Sequence, residues 1–129
     1  MGGIVKVARW LIVAGSVVLF LTALLHGSGY LQISRALEKS DMKPFLTGGF
    51  KALWLMFSIH VLVLGVVLIA ASRLPKGRRL VLLCTLIPAF DTILLFHFVG
   101  VFIGMIALAV ATLLFLAGGL LLPQAEAAR

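Results

Sequence analysis

Three histidines and one aspartate interrupt the otherwise apolar stretches of this chain: His26, His60, Asp91 and His97. Histidine and carboxylate together can ligate zinc, iron or copper. Two histidines on different helices can hold a haem, which would be noncovalent because the chain has no CxxCH motif. A His–Asp pair can also pass protons to a lipid-soluble substrate or along a relay. No HExxH or other strong metal spacing occurs, so residue types rather than a motif carry these readings. His60, His97 and Asp91 are the candidate metal ligands, and Asp91 with His60 the candidate catalytic pair.

Each of these residues has a plainer role to weigh. A histidine in a membrane often only bonds a neighbouring helix, and His26, beside Gly27-Ser28-Gly29, fits that role best. Asp91 fits it least. An aspartate near a helix centre costs ~2.5–3.5 kcal/mol to insert, and such residues face a bundle interior or a cavity. Pro88, three residues earlier, removes one backbone hydrogen bond and is expected to kink its helix, freeing the Cys84 carbonyl. Cys84 itself is expected to be a small apolar core residue, and no disulfide within the chain is possible.

The elements that must position these residues follow from composition. Of the 129 residues 63% are hydrophobic and only 12% charged, about half the charge of a soluble domain. The solvent is therefore lipid, and the length makes the chain one domain, residues 1–129. The net charge of +7 comes from short clusters flanking apolar runs, which is how orientation signals look, and no nucleic-acid partner is expected.

The first apolar run, Trp10 to Leu25, reaches spanning length with its flanks. Lys6 and Arg9 before it resemble a signal-peptide n-region, but the match at Gly27 and Gly29 is poor and later spans need a partner helix, so the segment is expected to stay. Ala52 to Ser72 forms a second run. Leu80 to Leu122 is too long for one crossing: as a single helix it would reach ~65 Å, about twice the hydrocarbon thickness. It must fold back, with Gly100 and Gly104 the expected sites of the tight turn. None of these runs alternates as a barrel strand would.

The expected architecture is an all-α integral membrane protein, a four-transmembrane-helix bundle with spans at about 8–28, 51–72, 79–98 and 102–122. Seven basic residues lie on the side of the termini, including the Arg73-to-Arg79 cluster, against four on the other, which predicts cytoplasmic N- and C-termini. The layout suits a bacterial inner membrane. In the outer loop, Tyr30, Ile33 and Leu37 recur at helical spacing and Pro44 stops the pattern, predicting a short interfacial helix able to cover an outward-facing pocket. Trp10 and Trp54 fall at the two headgroup levels.

Depth then decides which polar residues can meet. Asp91 lies ~18 Å from the cytoplasmic side and His60 ~14 Å from the outer side, nearly one level in a ~30 Å core. A His60–Asp91 contact is allowed. His26 and His97 both fall near the outer boundary. Asp91 and His97 are about 120° apart around their helix and do not share a face.

Small residues at Gly100, Gly104, Ala107, Ala111 and Gly118, with Gly15 and Gly65 elsewhere, predict close helix approach, within the bundle or against another membrane subunit or a second copy. Two function classes follow. The first is a binding or accessory module that docks on a larger membrane complex or holds a hydrophobic small molecule or lipid. The second is a small membrane enzyme or transporter using the His/Asp cluster.

Overall fold

The computed structural model describes residues 2–124. Five helices follow one another: α1 (Gly2–Ser28), α2 (Tyr30–Glu38), α3 (Pro44–Ala71), α4 (Gly77–Phe98) and α5 (Ile103–Leu121), with no strand among the described residues. Four of them, all but α2 on its own, are long and apolar enough to cross a membrane, which marks the chain as an integral membrane protein. The surface agrees, since Leu24, Leu83, Phe90, Ile93 and Leu113 are exposed along the helices where water would not tolerate them together.

The span boundaries agree with the apolar runs to within two residues except at two helix starts: α1 begins at Gly2 rather than near residue 8, and α3 at Pro44 rather than near residue 51. At α3 the cause is local. Pro44 occupies the first helical turn, where its missing N–H costs nothing, and Lys43 before it is extended (φ −59°, ψ 142°) as a residue preceding proline prefers. The helix is thus ~42 Å long and outruns a ~30 Å hydrocarbon core. α2 exists where the apolar spacing placed it. Tyr30, Ile33 and Leu37 are its half-buried face, while Gln32, Arg35 and Glu38 are exposed. It is held to α3 by Lys51 Nζ donating to Glu38 Oε1 at 2.6 Å. The nearby ammonium of Lys51 lowers the Glu38 carboxyl below the ordinary glutamate value.

Around the bundle the order is α3, α1, α5, α4. α1 packs extensively on both α5 and α3, and α5 on α4, whereas α3 and α4 meet only along a narrow seam. Small residues permit the tight contacts. A Cβ on Gly118 would lie 2.9 Å from the Ala8 carbonyl oxygen, and Ala111 beside it in α5 is fully buried. Part of the α5 stripe is therefore used inside the bundle. Phe115 fills the centre, its ring lying where a Cβ on Gly15 would collide. Ser16, fully buried, donates its hydroxyl within reach of both the Ile12 carbonyl (2.9 Å) and the Gly65 carbonyl of α3 (3.0 Å). Such a bond between helices counts in lipid because no water replaces it.

The start of α1, the α3–α4 connection and the end of α5 share one end of the bundle. Arg9 Nε donates to the Ser72 carbonyl (3.4 Å), and Arg78 Nη1 to the Leu122 carbonyl (3.3 Å). At the opposite end the α4–α5 turn uses Gly100 alone, at φ +88°. Gly104, also expected in the turn, lies inside α5, where the Phe102 ring folds over it. One left-handed residue suffices to reverse the chain here. Pro88 is buried without interrupting α4, and Thr92 Oγ1 donates to its carbonyl at 2.7 Å. Cys84 is half-buried at the edge of the core rather than within it.

Candidate functional site

His60 stands on α3 and Asp91 on α4, at matching depth because the two helices run antiparallel. Their side chains meet across the seam, His60 Nε2 lying 3.1 Å from Asp91 Oδ2. As imidazolium and carboxylate, or as imidazole and carboxylic acid, the pair carries no net charge, which limits the cost of holding it in lipid. It is not enclosed: the His60 side chain is 41% exposed and that of Asp91 23%. His60 borders a shallow groove with Met56, Val63, Cys84 and Ile87 that opens to the outside of the bundle.

His97 does not join them. It sits near the end of α4, exposed, with its ring edge-on to the neighbouring Phe98 at 4.7 Å. Among the described residues no three His, Cys, Asp or Glu side chains gather as a metal site. The trio of His60, His97 and Asp91 therefore does not converge within one chain, for the reason the helix geometry already implied: His97 lies on another face of α4 and nearer its end.

His26 takes a different place. Its Nδ1 lies 3.0 Å from Ser58 Oγ of α3, the interhelical bond expected of it. Its ring stacks on Trp54 (centroids 4.0 Å apart, 18° between planes) and tilts against Phe57 at 4.7 Å. Trp54 Nε1 donates to the His26 carbonyl at 2.8 Å, so α1 and α3 are fastened here by two hydrogen bonds and a stack. Trp54 is thus an internal strut and not merely a headgroup marker. The Ser58 hydroxyl proton can serve either Nδ1 or the Trp54 carbonyl at 3.4 Å. In both arrangements the second ring nitrogen, Nε2, retains its own capacity to donate or accept.

Beside this cluster lies a cavity of about 440 Å³. All four long helices wall it. Thr22 and His26 come from α1, Trp54 and Phe57 from α3, Leu95 from α4 and Ala107 from α5, with exposed Leu25, Val99 and Ile103 at its rim. No residue of α2 lines it, so the short helix does not form its cover. Thr22 turns its hydroxyl to the Val18 carbonyl (2.8 Å), which leaves the lining almost wholly apolar, with the His26 ring as its polar element. The volume falls in the range that accepts drug-sized ligands, about 300–1,000 Å³, and an apolar wall with one or two polar groups is how such sites are built.

The fold and this lining define an integral membrane protein of four long helices with an apolar cavity at the end opposite the start of α1 and the end of α5. No protein family, curated protein or solved structure matches the chain.

Proposed function

We propose that this chain is a small polytopic membrane module that holds a hydrophobic ligand in the cavity beside His26. The observation that carries the reading is the meeting of all four long helices around about 440 Å³ of apolar space with a single imidazole in its wall. The ligand that fits is a neutral molecule with an apolar body and one hydroxyl or carbonyl to meet His26 Nε2, approaching from the lipid through the Leu25, Val99 and Ile103 rim. In the proposed setting, a bacterial inner membrane with cytoplasmic termini, the cavity lies in the outer half of the bilayer.

Ala107→Phe places a ring into the cavity from α5 while keeping His26, Trp54 and Phe57 themselves unchanged. Organic extraction of the purified wild-type protein should release a hydrophobic small molecule in near-stoichiometric amount, and the variant should yield little of it. Equal yields from both proteins would overturn the reading.

A second reading attaches to the His60–Asp91 hydrogen bond. It makes the chain a small membrane enzyme or transporter in which this pair exchanges a proton with a lipid-soluble substrate arriving along the α3–α4 groove. Asp91→Asn keeps shape and hydrogen bonding while removing the acid, and should abolish proton exchange in proteoliposomes; retained exchange would sink it. A Soret band or stoichiometric metal in the purified protein would instead make histidines ligands, with His60 and Asp91 needing a donor beyond the His, Cys, Asp and Glu that surround them among the described residues.

A further inference from the structure

The end of the bundle where α1 starts and α5 ends holds a second concave feature, an open groove of about 690 Å³ between the start of α1 and the α3–α4 connection. Three cations line it, Lys6 and Arg9 from α1 and Arg73 from beyond α3, together with Val5, Trp10 and Val13. Their convergence is a product of the fold, since Arg73 is remote in sequence and is brought in where Arg9 Nε bonds the Ser72 carbonyl. All three cationic side chains are exposed, and none is in an ion pair among the described residues. The described carboxylates, Glu38, Asp41 and Asp91, lie elsewhere in the bundle.

The order of residues down the groove matters as much as the charge. Lys6 and Arg9 stand at the end, and Val13 lies seven residues deeper than Lys6, ~10 Å along the helix axis. Trp10 sits between these levels and is 64% exposed. Cations above an apolar strip match an amphiphile with a phosphate at its head, and basic pockets at the ends of transmembrane helices recognise such lipids. We infer that this groove binds an anionic phospholipid, its phosphate held by Lys6, Arg9 and Arg73 and one acyl chain lying along Trp10 and Val13. Free phosphate offers the same head chemistry but leaves the apolar strip empty. The site is independent of the cavity beside His26, which lies at the other end.

Native mass spectrometry of the full chain in a neutral detergent tests this with three probes: phosphatidylglycerol, phosphatidylcholine and inorganic phosphate. Phosphatidylglycerol should bind with one tight site, at least about tenfold tighter than phosphatidylcholine, and inorganic phosphate should not displace it at equal concentration. The double variant Lys6→Gln/Arg73→Gln should weaken that site by roughly fivefold per cation removed, about 25-fold together. Lys76→Gln/Arg79→Gln removes the same charge from the same end outside the groove and should leave the tight site intact. An equal loss in this second variant would show diffuse surface charge and overturn the inference. Binding of phosphatidylcholine as tight as that of phosphatidylglycerol, or displacement by inorganic phosphate, would overturn it too.

Discussion

Replacing His60 and Asp91 with leucine, singly and together, probes the seam between α3 and α4 quantitatively. The Nε2–Oδ2 separation of 3.1 Å is a normal hydrogen bond. Such bonds between membrane helices couple by ~0.6 kcal/mol on average and up to ~1.7, because separated helices in a bilayer also find partners. With side chains partly open to lipid rather than water, little can substitute for the lost partner, and the coupling should fall within that range. The singles differ in kind. His60→Leu leaves a carboxyl without a partner at membrane depth, whereas Asp91→Leu leaves a more exposed imidazole, so the first should cost more. The double variant removes both polar groups and should be no less stable than His60→Leu, since no polar group is then left at membrane depth without its partner. Unfolding by steric trapping in bicelles gives all four corners of the cycle. A coupling within ~0.3 kcal/mol of zero, the usual limit of additivity, would mean the two side chains do not meet and would refute the seam geometry.

Other outcomes follow from single positions. Gly100→Ala forces a Cβ into a backbone at φ +88° and should lower stability by ~1–2 kcal/mol in thermal unfolding. Gly118→Ala should cost ~1–3 kcal/mol by pushing against the Ala8 carbonyl and Ile12. Gly48→Ala meets nothing within 4 Å and should gain ~0.5–1 kcal/mol as a better helix former, so one substitution changes sign with its surroundings. The Glu38–Lys51 pair predicts a pH effect. Because the Glu38 carboxyl is lowered in the folded chain, its contribution is complete above the ordinary glutamate value and disappears as pH falls through the lowered one. Hydrogen exchange across α2 should accelerate below that point and not in Lys51→Met, where the pair is already absent.

The spans were legible because each apolar run must cover the same thickness, and a run twice that length has to reverse. The His60–Asp91 contact was legible for the same reason: a fixed rise per residue turns sequence position into depth, and antiparallel neighbours at one depth can touch. What depth cannot show is the order of helices around the bundle. Nothing in the composition of α3 and α4 says that they share a thin seam while α1 and α5 lie centrally, so Asp91 was expected to face inward and instead stands at the margin. The cavity stayed hidden for the same reason. Thr22, Trp54, Phe57 and Ala107 come from three different helices and carry no common spacing. The one available hint was that His26 and Trp54 fall at the same outer level, which alone would be met by any pair of interfacial residues. Pro44 marked the true start of α3, but the apolar run begins only after Lys51, and hydropathy followed the lipid rather than the helix.

Ligand binding beside His26 is tested most directly by a density map of the purified protein in lipid nanodiscs, read in the space between His26, Trp54, Phe57 and Ala107. Non-protein density should fill the cavity, with a polar atom within hydrogen-bond distance of His26 Nε2, and should be lost in Ala107→Phe. A space closed by side chains of the protein itself, with the Phe102 ring or Trp54 swung into it, would contradict ligand binding there.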